Sequence, residues 1–413
     1  MTGDVSARAA GRSLWRRAGF WLVAALLTFF LFGASAPSPL YSLYQQLWGF
    51  SSGTLTLIYA VYAFGALGAL LITGRVSDHV GRRPVTIVAL VVQIAGMLAF
   101  IAAGSAEALF LGRVLQGVGT GMATGALSAW LLDLQPDENP RLGSVVGATA
   151  LVGGLALGSL ASGLLVEFAP DPLHLVFWLM GGIYAIGLIG VLGVPDLVVR
   201  RPEWRRSLRP EIGVPPSARS MFAATAPSLI ATWAVAGLYL SLGPSLADAL
   251  MQSDNRFAGG LVIAALLGVG AVTSFLYRAA DPSLSVVRGS VVLIVGIAIT
   301  LLAVAIGSIA GLFVGSVIAG LGFGPAFSGA FRSLAPLAPP GRRGALLASI
   351  YVVVYLAFSV PSIVAGFAVS LFGLRDTTLA YGLVVMALAA TTTLAVSRRR
   401  ARAEQTKTSS IQP

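Results

Sequence analysis

The 413-residue chain contains no cysteine, which excludes disulfides, thiolate metal ligation and cysteine nucleophiles together. Histidine is almost as scarce. With only His79 and His174 there is no basis for a histidine metal cluster. Charge is also in short supply: 10% of the residues are charged and 56% hydrophobic, against about 25% charged in globular domains. Such a chain is a polytopic membrane protein. It has no phosphate loop of the Gly-x-x-x-x-Gly-Lys type, which rules against a self-powered nucleotide pump. The residues therefore call for no enzyme chemistry and no cofactor.

The formal net charge is nevertheless +11, a value that raises the question of nucleic acid. Placed on a membrane topology, the basic residues answer it. Arg8 to Arg17, Arg75, Arg82, Arg83, Arg141, Arg200 to Arg219, Arg278, Arg288, Arg332, Arg342, Arg343 and Arg398 to Lys407 all fall on or near one face. Only Arg113, Arg256 and Arg375 do not. An Arg/Lys excess in short loops marks the cytoplasmic side and its anionic lipid. The partner implied is the lipid bilayer, and no nucleic acid is needed.

The hydrophobic runs place a basic segment at 1–18, six spans over 19–194, a polar segment at 195–219, six more spans over 220–397 and a basic tail at 398–413. The first run starts basic and ends Ala34-Ser35-Ala36, as a cleavable signal peptide would. Its removal would leave an odd number of spans, so it reads as the first span. The second and third spans cover 55–73 and 84–103, each about the ~20 residues a bilayer needs. The 195–219 segment is too polar to cross and too rich in proline for a long helix. Gly243-Pro244 is expected to end or bend the seventh span.

An internal repeat supports two halves. Gly112, Gly117, Gly119 and Gly121 recur as Gly315, Gly320, Gly322 and Gly324 at a constant offset of 203. The expected fold is an all-α membrane protein with twelve transmembrane helices in two pseudo-symmetric six-helix bundles, both termini cytoplasmic. Repeats of this kind place a binding site near the midplane between the halves.

The loop between spans two and three reads Gly74-Arg75-Val76-Ser77-Asp78-His79-Val80-Gly81-Arg82-Arg83. It resembles the signature of the major facilitator superfamily, Gly-x-Leu-Ala-Asp-Arg-x-Gly-Arg-Arg/Lys, through Gly74, Asp78, Gly81, Arg82 and Arg83. The resemblance implies that Asp78 acts as a conformational latch. Physically, Gly81 permits a tight turn, and Asp78 can lie against a helix N-terminus or an arginine and lose that partner when the bundle opens. The matching stretch of the second half, Arg278-Ala279-Ala280-Asp281-Pro282, is degenerate.

Arg113 is the one charge deep in a span, where a lipid-facing arginine costs about 2.5–3.5 kcal/mol on insertion scales. It should face a polar cavity or a partner. Arg113, Gln116, Gly117 and Gly119 resemble the superfamily's Arg-x-x-Gln-Gly-x-Gly signature, found mainly in proton-coupled exporters, which implies a part in proton transfer. Gly117, Gly121 and Gly125 form one small-residue stripe, and Gly154, Gly158 and Ser162 another. Such stripes let helices approach closely. Gly154, Gly158 and Gly163 partly match the exporters' Gly-x-x-x-Gly-Pro-x-x-Gly-Gly signature, but Ser159 replaces its proline.

No carboxylate lies deep in the first span, so the residues favour neutral, weakly acidic or zwitterionic cargo over a permanent cation. Tyr59, Tyr62, Trp130, Trp233, Tyr351, Tyr355 and Phe358 are candidate cavity residues, and Tyr351, Tyr355, Ser359 and Ser362 nearly share one face as a wet stripe. The reading that joins these features is a monomeric, multi-pass transporter of a bacterial cytoplasmic (inner) membrane. It would export small amphipathic or drug-like compounds against protons. An importer of a small metabolite such as an organic acid or sugar, and a receptor that binds without turnover, remain open on the residues alone.

Overall fold

A computed structural model describes residues 2–139, 142–199, 202, 204–209, 211–251, 256–337, 339 and 343–409. Arg141, Arg200, Arg201 and Arg342 lie outside the described residues, as do the side chains of Arg8, Arg12, Arg206, Arg256, Arg343 and Lys407. Among the described residues the chain is helical and contains no strand. Its helices are α1 (Thr2–Ser35), α2 (Tyr41–Trp48), α3 (Ser52–Thr73), α4 (Ser77–Val80), α5 (Arg82–Ile101), α6 (Ala106–Leu134) and α7 (Leu142–Phe168). They continue as α8 (Leu175–Leu192), α9 (Trp204–Ser207), α10 (Pro216–Met251), α11 (Arg256–Leu276), α12 (Pro282–Ile306), α13 (Ile309–Leu334) and α14 (Arg343–Ser409).

Among the described residues, ten segments are long and apolar enough to cross a bilayer. The last, Ala345–Arg402, holds two limbs of α14 joined at Gly373, whose φ of 80° and ψ of 164° interrupt the helix. Those ten therefore supply eleven crossings. The twelfth is α6, 29 residues long but diluted by glycine and by Arg113. Of the two courses expected at Gly243-Pro244, ending is overturned: α10 runs on to Met251, with Pro227 and Pro244 inside it. In lipid a helix that opens has no water to satisfy its backbone, so continuing past a proline is the cheaper course. Among its described residues the 195–219 segment holds the short helix α9 and the first turn of α10.

The chain divides into two compact units, residues 1–40 with 61–210, and residues 41–60 with 211–413. The stretch 41–60, expected in the first half, thus groups with the second unit, where Thr56 fills the space beside Gly366 and Gly53 touches the Phe367 ring.

In the first unit the glycine stripe of α6 lies on α3. A Cβ on Gly117 would strike the Tyr62 carbonyl, one on Gly121 the Ala66 carbonyl, and one on Gly125 would sit 3.3 Å from the Gly74 Cα. In the second unit Gly320 and Gly324 of α13 stand in the same way against the carbonyls of Leu266 and Gly270 on α11. The glycine pattern repeats because each half needs one backbone-to-backbone contact there. The other stripe behaves differently. Gly154 and Gly158 of α7 abut the Thr28 and Phe32 carbonyls of α1, whereas in the second unit the small residue is Gly237 of α10, set against the Phe358 carbonyl of α14. A pair of tyrosines completes the repeat: Tyr184 donates to the Phe29 carbonyl at 2.9 Å, and Tyr381 to the Ala234 carbonyl at 2.7 Å.

Candidate functional site

The charged hairpin is a hub built on Arg82. After α3 ends, α4 makes a single turn and Gly81 turns the chain at φ 107°, ψ 155°, a conformation that favours glycine. This brings Arg82 onto the first turn of α5 with its guanidinium buried at 8% exposure. Its Nη1 donates to Asp78 and to the Ser77 hydroxyl at 2.7 Å, and its Nε donates to Asp133, 3.1 Å away at the end of α6. A guanidinium matches two acids because its donors diverge in one plane. Asp78 is half exposed, so its own pairing contributes only about 0–1 kcal/mol; the buried cation is the group that requires partners.

The helix terminus envisaged as a partner for Asp78 is taken by another acid. Asp196 accepts from the backbone N–H groups of Arg82 at 3.2 Å and Arg83 at 3.1 Å, capping α5. The Arg83 side chain donates to the Leu192 carbonyl at 2.9 Å, at the end of α8. A Cβ on Gly81 would collide with the Asp196 carboxylate, so glycine is required there for room as well as for φ. Beneath the hub, Val76, Val80, Val85, Met122, Ala126 and Leu208 form an apolar floor.

The second unit closes its equivalent turn with an arginine and a capping acid of its own. Arg332 of α13 donates to the carbonyls of Tyr277, Arg278 and Ala280, each at 2.9 Å, and so caps the end of α11. Asp281 caps α12 through the Leu284 N–H at 2.7 Å and pairs with Arg400 at 2.6 Å. Those two bonds, the Leu284 N–H first and the Arg400 charge after it, hold its carboxyl below the usual carboxylate range.

Arg113 is fully buried in α6. Its Nη1 donates to the Ala34 carbonyl at 2.9 Å and to the Gln116 side chain, and Gln116 Nε2 donates to the Gly33 carbonyl at 2.6 Å. These carbonyls need side-chain partners because α1 ends beside them. Pro37 has no N–H with which to reach Gly33, and α1 stops at Ser35 before a short 3₁₀ turn over Ser38–Leu40. The end of a helix carries partial negative charge, which favours a cation. The guanidinium also lies 5.5 Å from the centre of the Tyr62 ring, a cation–π distance.

Of the seven candidate cavity aromatics, Tyr62 lies beside Arg113 in the first unit. In the second unit, Tyr59 meets Phe358 at 5.1 Å, and Phe358 meets Trp233 at 6.0 Å. Trp130 stands elsewhere: fully buried, it donates to the Pro195 carbonyl at 3.0 Å near the hub and ties α6 to the segment after α8. On the expected wet stripe Tyr351 and Tyr355 are half-buried, and Ser359 and Ser362 are buried and donate to the carbonyls of Tyr355 and Phe358 in their own helix, 2.7 and 2.8 Å away.

Sequence comparison matches residues 21–284 to the Major Facilitator Superfamily model. The chain belongs to the major facilitator superfamily. It is 32% identical over 236 residues to the multidrug resistance protein MdtL of Salmonella heidelberg (strain SL476), covering 54% of this chain and 56% of that protein. It is 30% identical over 158 residues to MdtL of Klebsiella pneumoniae (strain 342), covering 37% and 38%. To the puromycin resistance protein pur8 of Streptomyces alboniger it is 34% identical over 149 residues, 36% of this chain and 29% of that one. The matches thus span between about a third and just over half of these relatives. Solved superfamily structures share the fold across nearly the whole chain. A POT family transporter in complex with 5-aminolevulinic acid aligns at TM-score 0.72 and 15% identity, covering 92% of this chain and 96% of its own. A bacterial homologue of the human lysosomal transporter Spinster, inward-facing and unoccupied, aligns at 0.72 and 14%, covering 93% and 97%.

Several residues of this superfamily member escape a reading of its sequence. Asp133 and Asp196 look like ordinary span-end acids, because nothing local brings them, 51 and 114 residues away in the chain, to Arg82 in space. Tyr239, which shares hydrogen bonds with Ser316 at 3.0 Å and Thr300 at 3.3 Å, is equally silent. Tyr184 and Tyr381 also gave no signal, since they lie 197 residues apart, out of register with the glycine offset of 203.

Proposed function

We propose that this chain is a secondary active transporter that works by alternating access and exports small amphipathic compounds across a bacterial inner membrane against a flow of protons. One observation carries the reading. Among the described residues the buried charges are two arginines, Arg82 at 8% exposure and Arg113 at 0%, and no carboxylate is buried with them. Each holds groups that sliding helices would have to release: Arg82 the acids of the hairpin hub, Arg113 the end of α1. Arg113 holds the end of α1 and disfavours a cationic cargo, and Arg113, Gln116 and Gly117 carry the proton-coupled step. In the hub, withdrawal of Asp78 or Asp133 would free Arg82 from one partner. The names of the relatives, multidrug and puromycin resistance, support efflux of drug-like molecules. The basic residues of the hairpin and the tail support cytoplasmic termini. Lacking a buried acid, the site favours neutral, weakly acidic or zwitterionic cargo.

The test is flux in everted membrane vesicles under an imposed pH gradient, with puromycin and a panel of neutral and weakly acidic amphiphiles. Accumulation that collapses with the gradient is the expected result. Arg113→Ala should abolish it while membrane insertion remains intact. Gradient-driven movement in the opposite direction, or binding without flux, would overturn the reading.

A further inference from the structure

We propose that Trp233 and the phenylalanines around it form a subsite for flat, uncharged aromatic molecules that carry a hydrogen-bond acceptor. Trp233 lies on α10, and its indole meets Phe327 at 5.3 Å, Phe358 at 6.0 Å and Phe323 at 6.2 Å between ring centres, each edge to face. Tyr59 adds a further ring against Phe358. The indole is 6% exposed, and its N–H has no acceptor among the described residues. A buried indole N–H ordinarily finds one, and leaving it unmade costs free energy.

The same chain shows what it does with a tryptophan used only for packing: Trp130, equally buried, gives its N–H to the Pro195 carbonyl. Trp233 is instead surrounded by hydrocarbon rings. A purely apolar guest would stack there and leave the N–H unmet, whereas a guest with a carbonyl or ring nitrogen would stack and accept. Among the described residues the cluster is made of Tyr59, Trp233, Phe323, Phe327 and Phe358, all uncharged, so a neutral guest meets no unpaired charge from them. Gly237, one turn along α10, sets the backbone against the Phe358 carbonyl and so fixes the frame in which the rings stand. The subsite deepens the efflux reading and rests on it for the claim that the bound molecule is cargo.

Coumarin and naphthalene, bicyclic molecules of similar size with and without a carbonyl, provide the test by equilibrium dialysis against the purified full-length protein. Coumarin should bind saturably and about three- to ten-fold more tightly, the range of one net hydrogen bond. Trp233→Phe should erase that preference and leave naphthalene binding within about two-fold. If that variant does not fold, benzothienylalanine at position 233 keeps the ring shape without the N–H. Equal binding of the two molecules by the native protein, or an unchanged preference after either replacement, overturns the proposal. Vesicle flux separates the two readings. Discriminating binding without coumarin flux would sink efflux and leave the subsite standing; flux whose selectivity Trp233→Phe does not alter would sink the subsite and leave efflux standing.

Discussion

The guanidinium of Arg113 lies 2.9 Å from the carbonyl oxygen of Ala34, at the point where Pro37 and Pro39 bring α1 to its end. Pro37 deprives the Gly33 carbonyl of its N–H, and a neighbouring helix supplies a replacement through Gln116, with Arg113 on the Ala34 carbonyl beside it. The motif on α6 is therefore half of a device whose other half is Pro37. A helix end held by side chains can be released without breaking a backbone ladder, which a helix end held by its own ladder cannot.

This pairing has a measurable signature. Gln116→Ala leaves the Gly33 carbonyl buried without its partner and should cost about 1–3 kcal/mol, read as a lower unfolding midpoint in detergent. Pro37→Ala restores an N–H four residues beyond Gly33. In that background Gln116→Ala should cost clearly less, giving a coupling on the order of 1 kcal/mol in a double-mutant cycle. Strict additivity would refute the account of why Gln116 is there.

Gly81 and Asp196 should also behave non-additively. Alanine at 81 is strained by φ 107° and strikes the Asp196 carboxylate, for a cost of roughly 1–3 kcal/mol. Asp196→Ala alone removes the cap of α5 and costs about 1 kcal/mol. Made together, the two changes should cost less than their sum, because the second relieves the clash caused by the first. Thermal unfolding of the four proteins measures it.

The glycines of the α3 and α6 contact are not equivalent. Gly121→Ala pushes a methyl into the Ala66 carbonyl and should destabilise by about 1–3 kcal/mol; Gly324→Ala should do the same in the second unit. Gly68, inside α3, has open space around its Cβ position, so Gly68→Ala should be neutral or stabilise by up to about 1 kcal/mol. Comparable losses at positions 68 and 121 would show that close approach is not what the stripe provides.

Asp281 gives a pH dependence of definite sign. Its folded-state pKa is lowered, chiefly by the Leu284 N–H and then by Arg400. Its contribution is therefore complete above the unfolded carboxylate value near 4 and is lost as pH falls through the lower folded value. Asp281→Ala should depress the unfolding temperature at pH 7, and its curve should converge with that of the native protein below about pH 4. A gap that persists at acid pH would mean that the carboxylate charge is not the source.

How far the sequence could be read depended on whether a feature was local or repeated. The charged hairpin was legible because its glycines, acid and arginines stand within ten residues. The two halves were legible because the α6 glycines recur in α13, and each of those contacts requires the same absent side chain. The extent of α10 was not, since Gly243-Pro244 carries the same local signal at a break as in a continuous membrane helix. Nor was the fate of the Ser359 and Ser362 hydroxyls, which depends on whether any acceptor outside the helix is close.

Composition, hydrophobic run length and the placement of arginine by themselves determined a many-span membrane protein with two related halves, because each records a transfer free energy summed over many residues. Only the tertiary structure decided which acid meets Arg82, which acid caps α5, which carbonyls Arg113 holds and which tryptophan keeps a free N–H. Those outcomes turn on distances of about 3 Å between groups far apart in the chain. Hydrogen bonding falls away within an ångström of that separation, so no pattern along the sequence encodes them.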